Sequence, residues 1–170
     1  MTISIKQGNL LDANENIIVH QVNCQGVMGG GVARQIKEKW PTVYKHYMRI
    51  SNTAYKLRIP SEKLLGMVCW DMVQEKIRDG GQDKWIASIF GQLDYNRNGE
   101  RKLQTDYDAL MKGLIEVANN ANQYGESVAM PYKIGCGCGG GDWSKVLEII
   151  YEVFEPLENV DVVLYEYIGH

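Results

Sequence analysis

Asn23-Cys24-Gln25-Gly26-Val27-Met28-Gly29-Gly30-Gly31 and Gly135-Cys136-Gly137-Cys138-Gly139-Gly140-Gly141-Asp142-Trp143 are the stretches on which the fold is read. Each follows an apolar run with strand character, Ile17 to Val22 and Ser127 to Met130. Each opens onto residues at helical spacing, Val32 to Lys39 and Trp143 to Phe154. A glycine loop between a strand and a helix turns backbone N–H groups towards one anion, and the helix dipole adds positive potential there. Two such loops in one short chain point to a ligand with two phosphates, or with a phosphate and a ribose.

Outward from these loops, further strands are predicted at Ile3 to Lys6, Leu64 to Trp70, Trp85 to Phe90 and Val160 to Tyr165, the last closing the sheet. Gly8-Asn9-Leu10-Leu11-Asp12 turns away from the first strand and makes a first hairpin with the second. Gly80-Gly81 reads as a hairpin-type turn, and 91–101 as a polar loop. Tyr44, Tyr47, Met48 and Tyr55 outline a helix packed on the sheet. The longest helix runs from Leu103 to Asn122, with Tyr107, Leu110, Met111, Leu114, Ile115 and Ala118 on one face and Gly125 just past its end. Strands alternating with helices predict an α/β protein in three layers, α/β/α, around a mixed, largely parallel sheet. Ligands of such sheets sit at the carboxyl ends of the strands, where both glycine loops begin.

The chain has 170 residues, 45% of them hydrophobic, which predicts one globular domain spanning 1–170. A net charge of −3 argues against a general nucleic-acid or membrane partner. No apolar run reaches ~18 residues. The N-terminus, Met1 to Ile5, alternates like a strand and lacks a signal peptide's apolar centre. A cytoplasmic monomer is the expectation, with Cys24, Cys69, Cys136 and Cys138 reduced. Cys136 and Cys138 form a C-x-C that Cys24 could approach, so a zinc site is conceivable; small residues suited to tight loops explain the same pattern. Closed zinc sites use C-x₂₋₄-C pairs and a full ligand set, so neither metal nor cofactor is expected.

Neither loop has the lysine and hydroxyl of a P-loop. Gly135-Cys136-Gly137-Cys138-Gly139-Gly140 fits the dinucleotide G-x-G-x-x-G, yet it lies near the C-terminus with no acidic residue at a following strand end. A different match is specific. Gln7-Gly8-Asn9-Leu10-Leu11, Val22-Asn23 with Gly29-Gly30-Gly31-Val32-Ala33, Ile134-Gly135-Cys136-Gly137 and Val163-Leu164-Tyr165 resemble the macro domain in order and spacing, over nearly the whole chain. Val19-His20-x-x-Asn23-Cys24-x-Gly26-x-x-Gly29-Gly30-Gly31 is similar to the group with the yeast ADP-ribose phosphate phosphatase, terminal ADP-ribose protein glycohydrolase and the antitoxin that removes ADP-ribose from DNA.

The resemblance implies ADP-ribose, or an ADP-ribosylated substrate, as the partner. Asn9 would read adenine where many macro domains have aspartate, or merely follow Gly8 in a turn. Gly29, Gly30 and Gly31 would admit the distal ribose and one phosphate, and Gly135, Cys136 and Gly137 would wrap the pyrophosphate through their N–H groups. Leu10, Val22, Val32 and Ile134 flank these positions, and Tyr165 would stack on adenine or close the sheet edge. Asn23 would orient a hydroxyl or an attacking water at the anomeric carbon. His20 would exchange a proton there, or be a satisfied core histidine. Asp142 would be a catalytic carboxylate, or an N-cap. The glycohydrolases of the group carry a nucleophilic lysine after the fourth strand, where Ser88-Ile89-Phe90-Gly91-Gln92-Leu93-Asp94 has none. Hydrolysis by activated water, of a phosphate or an ester-linked group, is therefore the expected activity. A reader module without chemistry and a metal-dependent regulator built on the cysteines are the rivals.

Overall fold

The structure, a computed structural model, describes residues 2–168; Met1 of the N-terminal alternation, Gly169 and His170 lie outside them. Its strands are β1 (Thr2–Gln7), β2 (Ile17–Asn23), β3 (Val68–Gln74), β4 (Lys84–Gln92), β5 (Val128–Pro131) and β6 (Asp161–Glu166). Its helices are α1 (Gly31–Lys39), α2 (Pro41–Lys56), α3 (Lys76–Asp79), α4 (Tyr107–Tyr124) and α5 (Trp143–Phe154). One mixed sheet has the order β1-β6-β5-β2-β4-β3, parallel throughout except for β3. One face carries α4 and α5 over Ile17, Val19, Ile89 and Leu164; the other carries α1 and α2 over Ile18, Val22, Ile86 and Phe90. Alternate residues of one strand thus feed two cores, which makes the predicted three layers.

β2 has the apolar run of a strand covered on both faces: Ile17, Ile18 and Val19 are wholly buried. The strand order diverges beside it. After β2 the chain moves out through β3 and β4; from β5 it moves the other way to β6. β2 and β5 are neighbours, and each leads into one of the glycine loops. The loops therefore meet at the switch point of the sheet, where a crevice opens at the strand ends.

Several boundaries differ from the sequence reading. β1 pairs with β6, Ile3 opposite Val162 and Lys6 opposite Tyr165, so the first two strands form no hairpin. β6 is consequently an interior strand, and β1 closes the sheet. β3 starts at Val68 because the 3₁₀ turn Ser61–Leu64 and Gly66, at φ +85°, divert the chain first. The Gly80-Gly81 turn does join antiparallel β3 and β4, with α3 folded into it. α4 begins four residues after Leu103, because Asp106 accepts the Ala109 N–H at 2.9 Å and caps it. Its buried face is Leu110, Gly113, Leu114, Val117, Ala118 and Ala121; Ile115 is exposed. α2 opens with Pro41 at its first position and buries Val43, Tyr47, Ser51 and Ala54, while Tyr55 faces out.

Candidate functional site

Three cavities lie in series along the carboxyl ends of the strands. One, of about 820 Å³, is lined by Val22, Asn23, Gly29, Gly30, Gln92, Cys136 and Gly137 among others. A second, of about 330 Å³, shares Gly30, Ala33, Gln92, Cys136 and Gly137 with it, and adds Gly31, Val32, Ile134 and Gly135. The third, of about 320 Å³, shares Val32, Pro131, Tyr132 and Lys133 with the second and reaches Asn9, Leu10 and Tyr165. The linings run into one another, so the three make one elongated cleft of a size suited to a nucleotide-sized ligand. It gathers every predicted ligand-binding position.

The first glycine loop is held from below. Asn23 Nδ2 donates to Val27 O at 2.8 Å, and Asn23 Oδ1 accepts the Gln25 N–H at 2.9 Å. The Tyr47 hydroxyl sits between Asn23 O (2.7 Å) and Asn23 Oδ1 (2.8 Å) and accepts the Val27 N–H at 3.1 Å. Asn23, 7% exposed, is thus first a staple for its own loop; it also lines the large cavity, and its second Nδ2 hydrogen has no acceptor matched to it among the described residues. The loop ends on α1, whose N-cap Gly30 offers no side chain to the first-turn N–H groups. Gly30, Gly31, Val32 and Ala33 all line the middle cavity, so these donors and the helix dipole face it.

The second loop is knotted around one carbonyl. Gly135 O accepts from Gly141 N at 2.9 Å and from Thr105 Oγ1 at 2.6 Å. Gly139 O takes the N–H groups of Gln104 (2.8 Å) and Thr105 (3.0 Å). The Cys136 N–H is spent on Lys133 O at 3.0 Å, which corrects its expected role as an anion donor. Among the described residues, no acceptor is matched to the N–H groups of Gly135, Gly137 and Cys138. Cys138 also touches the first loop: a Cβ added at Gly30 or Gly31 would lie 3.6 or 3.4 Å from its Sγ. The two loops thus face each other across the middle cavity.

At the large cavity, Gln92 stands opposite Asn23 through a bulge in the β2–β4 register. Gln21 Nε2 reaches both Gln92 Oε1 (2.8 Å) and Thr105 Oγ1 (2.9 Å), and Gln92 Nε2 donates to Asp94 O at 2.8 Å. This amide chain fixes Gln92 and, through Thr105, the second loop. Gln21 Oε1 is buried without a partner, an acceptor left at the cleft floor. The wall is the segment Tyr95, Asn96, Glu100 and Arg101, which the sequence showed only as a polar loop. Glu100 is the one carboxylate lining this cavity among the described residues. Hydrogen bonds from the Arg97 N–H and from Lys102, at 3.2 and 3.1 Å, hold it below the usual carboxylate range.

His20 and Asp142 take the structural one of the two roles that the sequence leaves open. His20 is a core histidine: it is 1% exposed in mid-strand, and its Nε2 meets Ser88 Oγ at 2.6 Å. Burial pushes its pKa down to about 3, so the ring is uncharged at neutral pH. It borders the middle cavity only from beneath. Asp142 lines none of the three cavities; its carboxylate accepts the Ser144 N–H at 2.9 Å and caps α5. Tyr165 is 6% exposed where it lines the third cavity, and its hydroxyl is held by Glu15 at 2.8 Å. Asn9 keeps its amide oxygen on the Leu11 N–H at 3.0 Å, which is the turn-forming alternative. At this end Tyr132 and Tyr167 line the cavity as well, two residues that no motif singles out.

The cysteines make no common site. Cys24 is buried, Cys136 Sγ lies against Ile134 O at 3.4 Å, and Cys138 packs on the first loop. Burial pushes the thiols of Cys24 and Cys136 up to about 12 and about 11, which keeps both protonated. Chemically, the cleft offers an apolar, aromatic end, a middle of backbone N–H groups and glycines, and a wide end of amides with one carboxylate. That sequence of surfaces suits a base, then linked phosphates, then a polyol.

No protein-family model matches the chain. Among curated proteins, the DNA ADP-ribosyl glycohydrolase of Mycobacterium tuberculosis is 30% identical over 163 residues, covering 96% of this chain and 42% of that protein. The chain therefore spans less than half the length of that relative. The ADP-ribose 1''-phosphate phosphatase of Scheffersomyces stipitis is 28% identical over 158 residues, 86% of this chain and 88% of that one. Among solved structures, the macrodomain of Mycobacterium tuberculosis DarG matches with a TM-score of 0.74 at 28% identity, covering 96% of this chain and 97% of that chain.

Proposed function

The chain belongs to the macro-domain family, and we propose on that footing that its three-part cleft binds ADP-ribose lengthwise and hydrolyses the group carried at the anomeric end. The observation that carries this is the continuity of the three cavities past both glycine loops. Adenine lies at the Leu10–Tyr132 end, the pyrophosphate between the α1 N-terminus and the N–H groups of Gly135, Gly137 and Cys138, and the distal ribose beside Asn23 and Gln92. The names of the relatives, a glycohydrolase and a phosphatase, support removal of a group from ADP-ribose.

The attacking group is water. Gln92 stands where the resemblance implies a nucleophilic lysine, and both ends of its amide are engaged. The second Nδ2 hydrogen of Asn23 orients the water or the leaving oxygen. Glu100 stays ionised on the cavity wall and accepts the proton that water loses. A bond forms from water oxygen to the reacting centre, the bond to the leaving group breaks, and that group departs with the remaining charge or a proton.

Calorimetric titration with ADP-ribose, followed by turnover of its phosphorylated and protein- or DNA-linked forms, tests both parts. Binding and turnover are expected, with Glu100→Gln lowering the rate about 10²-fold at nearly constant affinity. Borohydride should trap no ribose adduct. Binding without turnover of any form would reduce the protein to a reader of ADP-ribose, which the engaged amide of Gln92 favours as the second reading. Absence of binding would remove both.

A further inference from the structure

His46, Cys69 and Asp71 form a second cluster, and none of them lines the cleft. Cys69 and Asp71 are two apart on β3, so both side chains leave the same face of the edge strand, towards His46 on α2. His46 Nδ1 lies 2.9 Å from Asp71 Oδ1 and 3.2 Å from Cys69 Sγ, and Cys69 Sγ lies 3.5 Å from Asp71 Oδ2.

The pattern excludes a nucleophilic thiol relay. A relay needs thiol and carboxylate on opposite ring nitrogens of the histidine, so that one gives a proton as the other steadies the ring. Here both approach Nδ1. One nitrogen carries a single proton or a single lone pair and cannot serve both partners. Three donors converging on one point is instead the arrangement a cation requires. Ligands of a four-coordinate zinc, with bonds of ~2.0–2.3 Å, stand ~3.3–3.6 Å apart. The observed contacts, in which His46 meets one carboxylate oxygen of Asp71 and Cys69 the other, lie within a few tenths of an ångström of those separations. A thiolate and a carboxylate balance the two charges of the ion, and sulfur with imidazole selects zinc over magnesium or calcium.

We propose that His46, Cys69 and Asp71 bind one zinc ion and clasp α2 to the edge strand β3. Cys69 is 2% exposed, whereas the side chains of His46 and Asp71 are 31% and 15% exposed. The site is therefore closed on its sulfur side and leaves the fourth position to water. The clasp also bears on the cleft. Tyr47, next to His46 on α2, is the residue whose hydroxyl holds Asn23 and Val27 of the first loop.

Titration of chelator-stripped protein with Co²⁺ alone, then displacement by Zn²⁺, tests the site. One equivalent of Co²⁺ should give a thiolate-to-metal charge-transfer band with release of the thiol proton, Zn²⁺ should abolish the band by displacing the cobalt, and the melting temperature should rise above that of the stripped protein. Cys69→Ser should remove the band, and His46→Gln and Asp71→Asn should each weaken zinc at least tenfold. Both of those side chains are partly solvent-exposed, so the two variants are expected to fold. A Cys136→Ser/Cys138→Ser variant should keep the band. No band in the unmodified protein, a band that survives Cys69→Ser, unchanged zinc affinity in His46→Gln, or loss of the band in the Cys136/Cys138 variant would each overturn the proposal.

Discussion

His20 shows what a residue's type does and does not reveal. Its side chain titrates near pH 6.5 in the unfolded chain, and burial drops that to about 3 in the folded one. Between these values the unfolded state binds the extra proton. Stability is complete above pH 6.5 and drains away as the pH falls towards 3, by roughly 4–5 kcal/mol in all. Urea unfolding at a series of pH values should show this slope. His20→Gln, which keeps a partner for Ser88, should flatten it. Asn23 and Tyr47 give a second prediction. Tyr47→Phe keeps the ring packed on Phe90, 5.5 Å between centroids, but strips the hydroxyl from Asn23 and Val27. A loss of about 1–3 kcal/mol of stability is expected, together with weaker ADP-ribose binding. Asn23→Ala should do the same, so thermal melts and calorimetry on both variants should move together. A normal melt with only turnover lost would make Asn23 a purely catalytic group. The residues of the cleft floor were legible as types in the motif, whereas their partners were not. Nothing local in the sequence tells that Tyr47, Gln21 or Thr105 would reach them from elsewhere in the chain.

At the scale of elements, the two glycine loops have different tolerances. Gly30 has φ −151° and ψ 166°, an extended conformation open to any residue, and its added Cβ would meet only Cys138 Sγ at 3.6 Å. Gly30→Glu should therefore fold normally and lose ADP-ribose affinity by several orders of magnitude, through repulsion of the phosphates. Gly139 is the opposite case. A Cβ there would strike Thr105 Oγ1 and stand 2.7 Å from Gly135 O, inside the knot of the second loop. Gly139→Ala should cost about 1–3 kcal/mol, read as a lower melting temperature, before any effect on ligand. Strand–loop–helix order was legible because β2, α1 and α5 carry clean apolar periodicity between glycines. α4 starts later than the pattern predicts because Leu103 continues the apolar spacing, while Gln104 and Thr105 are pulled out of the helix by bonds to Gly139 O. The cleft wall at 95–101 has no periodicity at all; its place comes from side-chain bonds such as Asn96 to Lys102 O at 2.9 Å.

For the whole molecule, a ligand that spans three cavities and bridges both loops should stabilise the folded state as a unit. ADP-ribose at about 100 times its dissociation constant should add about 2.7 kcal/mol, a rise of about 5–10 °C in the melting temperature. AMP, which ends before the large cavity, should give less at equal concentration. An equal shift with AMP would place the binding energy at the adenine end alone. The layers and the mostly parallel sheet were legible from alternation, but the position of β1 was not. Nothing local in Thr2–Gln7 names a partner that begins at Asp161. That pairing has a consequence in time. Among the described strands, β6 is the only one that β1 adjoins, so β1 has nothing in this sheet to join until β6 has left the ribosome. Such long-range closure makes folding slow, and a growing chain must carry β1 unpaired until all the elements between it and β6 have been made.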